Sequence, residues 1–219
     1  MSPPYRLERS RSTAAEFHAR AVPDPASRVM WWHEVTMPAL VLGSTQSESV
    51  VDHDACRRAG VDVVRRRSGG GAVFLRPGAV TWIDVIVPRD GPGWADDVHR
   101  PMVWLGGHLA DVLRDLLPGH HIAVHEGPMV TTPWSSLVCF DGFGAGEVMI
   151  DGHKAIGISQ RRTRHAARLQ CCWYRTYDPV DLVELLAVPV RPPVDGLAPI
   201  ATVPADVASA IPSALAARL

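Results

Sequence analysis

The sequence predicts an α+β fold, a mixed β-sheet with flanking helices. Three observations predict it. Short apolar runs bounded by Gly and Pro recur along the chain, one long stretch carries helical periodicity, and no internal repeat interrupts the pattern.

The elements follow in chain order. Residues 1–28 hold four Pro and five Arg among small polar residues, which predicts a loosely held N-terminal arm. Val29–His33 and Ala39–Gly43 read as strands around a turn at Pro38. A short helix from Asp52 to Ala59 is stopped by Gly60. Val61–Arg66 reads as a strand, Ser68–Gly71 as a loop, and Ala72–Leu75 and Val80–Val87 as strands flanking a Pro77-Gly78 turn. From Val98 to about Leu117, apolar residues recur every three or four positions, with Gly106-Gly107 as a weak point and Pro118-Gly119 as the stop. Ile122–His125 is a strand, and a Gly- and Pro-rich loop fills Glu126–Gly146, its Gly142-x-Gly144-x-Gly146 string read as loop only. Glu147–Ile150 and His153–Gln160 form a hairpin through Asp151-Gly152, and Ala167–Tyr174 adds a strand. Asp178–Ala187 is a helix with Pro179 at its first position. Residues 29–188 thus form the main folded domain, and 189–219 a Pro/Ala-rich tail with a short helix.

Composition narrows the function. With 219 residues the chain suits one α/β domain, and 47% apolar with 21% charged residues excludes a disordered or coiled-coil protein. A net charge of −1 provides no field for holding nucleic acid. Nothing approaches 18 consecutive apolar residues, and the N-terminus lacks a signal-peptide core, so a cytoplasmic protein without a membrane partner is expected. The four cysteines show no C-x-x-C spacing, and His120-His121 and His125 lack partners, so no metal site is expected.

Lys154 is the only lysine among 22 basic residues, and Asn is absent. This bias replaces lysine by arginine wherever any surface charge suffices, so the retained ammonium marks a position where a compact charge matters. It follows the Asp151-Gly152 turn, a rigid place from which to neutralise a carboxylate, a phosphate or an oxyanion. A second constellation, Arg65-Arg66-Arg67-Ser68-Gly69-Gly70-Gly71-Ala72-Val73-Phe74, follows a strand with backbone N–H groups that an anion can approach, flanked by guanidinium donors. It matches neither a Walker loop nor G-x-G-x-x-G.

Together these strings, with Val41-Leu42-Gly43-Ser44-Thr45-Gln46 and Lys154-x-x-Gly157-x-x-Gln160, resemble the lipoate–protein ligase and octanoyltransferase family over roughly Val29 to Leu186. The resemblance implies the mixed-sheet catalytic domain shared with biotin–protein ligases. It also implies transfer of a lipoyl or octanoyl group to a lysine of a lipoyl-domain protein. By that resemblance Arg65, Arg66, Ser68, Gly69, Gly70, Gly71, Ala72, Val73, Phe74 and Gly157 bind the acyl group or adenylate, and Lys154 contacts the acyl carbonyl. Cys139-Phe140, Glu147-Val148 and Gly152-His153-Lys154 match the pattern of the thioester-forming octanoyltransferases, with Cys139 as nucleophile.

Three departures stand out. Leu75-Arg76 replaces the family's His-Asp, Gln170-Cys171-Cys172 replaces a Gln-His-Gly-like segment, and the accessory C-terminal domain of many ligases is missing from the sequence. Two routes remain open. A thioester route takes the acyl group from an acyl carrier protein onto Cys139, with Lys154 supplying the positive charge beside the thiolate. An adenylate route uses lipoate, ATP and Mg²⁺, and leaves Cys139 a bystander. A non-catalytic binder of lipoyl groups or carrier proteins is the alternative from another class.

Overall fold

A computed structural model describes residues 4–219. Its centre is β6 (Val80–Pro88), whose residues are buried on both faces except at its last position, the signature of an interior strand. Around it forms a seven-stranded sheet in the order β1-β2-β6-β10-β9-β8-β7: β1 (Arg6–Ser12), β2 (Val29–Val35), β7 (Ile122–Val124), β8 (Val148–Ile150), β9 (His153–Arg162) and β10 (Ala166–Tyr174). The β1–β2 pair is parallel and the other pairs antiparallel, so the sheet is mixed. A smaller sheet, β4-β3-β5, is built from β3 (Ala39–Leu42), β4 (Asp62–Arg65) and β5 (Val73–Leu75).

Two helices cover one face of the large sheet. Helix α3 (Arg100–Leu116) turns Leu105, Leu109, Val112 and Leu113 onto Ile83, Val85, Leu169 and Trp173, and α5 (Ala205–Arg218) adds Ala208, Ile211 and Leu215. The small sheet covers the other face, packing Val41, Val64 and Leu75 against Val80, Trp82 and Tyr174. Gly106, the expected weak point of α3, is a crossing: a Cβ there would lie 2.0 Å from Gly146 O, so only glycine lets the 126–146 loop lie on the helix. Among the described residues no helix is long and apolar enough to cross a membrane.

The N-terminal segment corrects the expected loose arm; its first three residues lie outside the described range. β1 is polar because it is an edge strand, paired with β2 from Arg6↔Val29 to Ser12↔Val35. Helix α1 (Ala14–Ala19) follows, started by a capping box between Thr13 and Glu16. Phe17 is buried, and the Arg168 guanidinium pins the end of α1 by donating to Phe17 O and Arg20 O, both at 2.7 Å. That guanidinium also donates to Asp84 through Nε at 2.8 Å, while Asp84 accepts from Trp82 Nε1 at 2.8 Å and pairs with His33 at 3.0 Å. Burial opposes ionisation of Asp84, but Arg168 and His33 together hold its carboxyl well below the usual range.

Two further short helices complete the set. Helix α2 (His53–Ala59) lies between an Asp52 N-cap and a left-handed Gly60. Helix α4 (Pro179–Val183) ends earlier than the sequence suggests, because Leu185 O accepts from Asp52 N at 2.9 Å and Ala187 N donates to Val50 O at 2.9 Å. A tertiary bridge thus displaces helical propensity there. Segment 189–219 returns past the sheet end, where Ala201 N donates to Lys154 O at 2.9 Å, before forming α5.

Candidate active site

The glycine loop and the Cys139 segment run side by side between the two sheets. Ala72 N donates to Leu137 O at 2.6 Å, and Cys139 N donates back to Ala72 O at 3.0 Å. A Cβ at Gly71 would sit 2.7 Å from Cys139 N, so this close approach needs glycine. Arg66 is buried and holds the loop from within: one terminal nitrogen donates to Gly69 O and Gly71 O, both at 2.8 Å, and the other to Val41 O at 3.3 Å. The first of these nitrogens also lies 3.8 Å from Cys139 Sγ.

Lys154 is 1% exposed. Its Nζ donates to Cys139 O at 2.8 Å and Gly142 O at 2.9 Å, lies 2.7 Å from Glu147 Oε2, and faces the Phe140 ring at 4.9 Å. Glu147 is buried too, accepting from Gly144 N at 2.7 Å and Ile158 N at 3.1 Å. The Gly142–Gly146 string is therefore the wrapping of a buried ion pair. This arrangement corrects one expectation: the guanidinium of Arg66, and not the ammonium of Lys154, is the cation in contact with the Cys139 sulfur. Lys154 instead fixes the backbone that presents it. Gly157 completes the packing, since a Cβ there would meet Phe140 at 3.2 Å and Lys154 Cε at 3.5 Å.

Between the sheets lies an apolar cleft. Val41, Val73, Leu75, Trp82, Phe140 and Ile158 make it apolar, and Cys139 and Arg66 stand in its wall. Cross-strand register places Gly157, Cys172 and Trp82 in one row of its floor, with Ser159 and Gln170 in the next. The polar wall is a chain of contacts: Ser68 Oγ to Ser159 Oγ at 3.0 Å, Ser68 Oγ to Gln170 Oε1 at 3.1 Å, and Gln170 Nε2 to His18 Nδ1 at 3.4 Å. Burial pushes the His18 imidazole down to about 3, so it is neutral at pH 7. Burial also pushes the Cys172 thiol up, which keeps it a neutral wall group. Cys171 faces the α3 side and packs in that core.

The structure gathers Arg66, Val73, Cys139 and Gly157 at the cleft, with Ser68, Gly69, Gly70, Gly71, Ala72 and Lys154 immediately behind. Two candidates lie elsewhere. Arg65 turns to Gly43 O at 3.1 Å, and Phe74 takes the opposite face of β5 from Val73 and Leu75, giving its carbonyl to Tyr174 OH at 3.0 Å. The unusual Leu75 supplies cleft wall, while Arg76 pairs with Asp181 at 2.7 Å. His18 escaped the sequence reading because its partner Gln170 lies 152 residues away; the Thr13-x-x-Glu16 capping box, overlooked in the expected arm, is a signal for its helix but not for its contacts.

The geometry can be set beside known proteins. The family model described as lipoyl protein ligase A/B catalytic domain matches residues 13–217. Octanoyltransferase LipM of Kyrpidia tusciae is 33% identical over 150 residues, covering 67% of this chain and 53% of its own. Octanoyltransferase LipM of Staphylococcus aureus is 28% identical over 165 residues, covering 74% and 58%. The chain thus spans about half the length of the curated relatives it matches. Among solved structures, lipoate-protein ligase A bound with ATP is similar with a TM-score of 0.68, 19% identity and coverage of 98% of this chain and 83% of that one. The bi-partite lipoate protein ligase system of Thermoplasma acidophilum gives 0.70, 16%, 100% and 83%. These two likenesses concern the fold alone, while the family model and the sequence relatives identify the lineage. The chain belongs to the lipoyl protein ligase A/B catalytic domain family.

Proposed function

We propose that the protein transfers an octanoyl group, or a lipoyl group of the same length, to a lysine of a lipoyl-domain protein through a Cys139 thioester. The observation behind this reading is the placement of Cys139 Sγ, in the wall of an apolar cleft and 3.8 Å from the Arg66 guanidinium. The apolar lining, from Val41, Val73, Leu75, Trp82, Phe140 and Ile158, suits an acyl chain. The similarity to two proteins named octanoyltransferase LipM supports the same choice.

In the first half-reaction the Cys139 thiolate attacks the thioester carbonyl of an acyl carrier protein, and the carrier thiolate leaves. In the second, the lysyl amine of the lipoyl domain attacks the enzyme thioester, Cys139 thiolate departs, and the amine loses its proton to form the amide. Arg66 faces the sulfur whenever it is anionic. Gly70, whose N–H group makes no backbone hydrogen bond among the described residues, lies beside the same sulfur and can receive the tetrahedral oxyanion. Lys154 is less suited to bridging an adenylate phosphate, because Glu147 and two carbonyls already occupy its ammonium.

Intact mass spectrometry with an apo lipoyl domain tests the reading. With octanoyl carrier protein, an octanoyl adduct is expected on the enzyme and is lost in Cys139→Ser. Modification of the lipoyl domain only with lipoate, ATP and Mg²⁺, and unaffected by Cys139→Ser, selects the ligase route instead. No modification in either arm leaves a binding protein.

A further inference from the structure

Two arginines stand beside the polar end of the cleft without a carboxylate. Arg161 shares a face of β9 with Gly157 and Ser159, which line the cleft, and lies one pleat beyond Ser159. Arg67 is exposed and directly precedes Ser68, whose hydroxyl contacts Ser159. Among the described residues neither arginine side chain has a hydrogen bond or an ion pair. Their neighbours show the contrast. Arg162 donates to Asp96 O at 3.0 Å and stacks on Trp94, and Arg168, which faces Arg161 across the strands, is neutralised by Asp84. Burial first, and then the charges of Arg67 and Arg168, disfavour the Arg161 cation. Two like charges thus stand together just beyond the cleft lining, where an incoming anion offsets their repulsion.

The position identifies the anion. An adenylate phosphate is attached directly to the reacting carbonyl and belongs at Cys139 and Gly157. Arg161 lies four strand residues from Gly157, about 13 Å along β9. A negative charge there belongs to a molecule whose thioester reaches Cys139 through a neutral spacer. Resting on the thioester reading above, we propose that Arg67 and Arg161 bind the phosphate of a 4′-phosphopantetheine arm, which enters the cleft past Ser68 and Ser159. The arm is common to acyl carrier protein and to coenzyme A.

Calorimetric titration of the Cys139→Ser protein tests the site without turnover. The probes are pantetheine, 4′-phosphopantetheine, coenzyme A and holo carrier protein. The phosphate is expected to tighten binding about tenfold, the scale of a charge-assisted contact. That advantage is expected to vanish in Arg67→Gln/Arg161→Gln and to persist in part in Arg67→Lys/Arg161→Lys. Equal affinity for the phosphorylated and unphosphorylated arms, or binding of neither, overturns the site. The carrier and coenzyme A arms show which source the two arginines serve. Failure to form any acyl adduct on Cys139 in the mass experiment sinks the thioester reading instead, and leaves this binding difference to be judged by itself.

Discussion

At the scale of single residues, the site depends on a buried cation whose three hydrogen-bonding directions are already used. Lys154 meets two carbonyls and the Glu147 carboxylate, with almost no water. Removing one partner of a buried pair leaves the other charge uncompensated, at about 3–5 kcal/mol. Glu147→Gln is therefore expected to lower the unfolding free energy by that amount in urea titrations and to depress acyl transfer. The double change Glu147→Gln/Lys154→Met is expected to recover stability but not activity. Recovery of both would assign the pair a purely structural role. Lys154 was visible in the sequence because an isolated lysine stands out against an arginine-rich background, and Cys139 through the resemblance carried by Cys139-Phe140, Glu147-Val148 and Gly152-His153-Lys154. What surrounds them was not visible, because Arg66 reaches the sulfur through a fold-dependent turn of the main chain.

At the scale of elements, α1 closes the polar wall with His18, an imidazole lowered from 6.5 to about 3. Between those values the unfolded chain binds a proton that the folded chain refuses. This contribution to stability is therefore whole above about pH 6.5 and is lost as pH falls toward 3. His33, also lowered by burial, acts in the same sense. His18→Gln is expected to flatten the decline in urea-measured stability between about pH 7 and pH 4, with His33 leaving a remainder. An unchanged slope would remove His18 from the linkage. The central strands and α3 were legible because burial on one or both faces writes itself into apolar spacing. β1 and α1 were not. An edge strand holds its place through main-chain pairing with β2, and α1 through the distant Arg168, so neither leaves a local hydrophobic pattern. The truncation of α4 was hidden for the same reason, in bonds to residues 50 and 52.

For the whole molecule, helices on one side and a small sheet on the other clamp the large sheet, and α5 completes the helical layer. Leu215 is fully buried among α3 and sheet residues. Leu215→Ala is expected to cost about 2–5 kcal/mol and lower Tm by roughly 4–20 °C in calorimetry. A negligible change would mean that the helical layer repacks without it. A mixed sheet with flanking helices followed from strand count and one amphipathic helix, whereas the second, smaller sheet and its place opposite the helices required the long-range pairings that only coordinates show.

The reciprocal hydrogen bonds between Ala72 and the Cys139 segment have a mechanical consequence. Nucleophile and glycine bend are stitched into one stiff body, so the bend cannot swing aside as a gate over the sulfur. A guest must instead enter along the opposite wall, where the Phe17 and His18 rings of α1 meet Trp82, and Arg168 and Gln170 hold the helix in place.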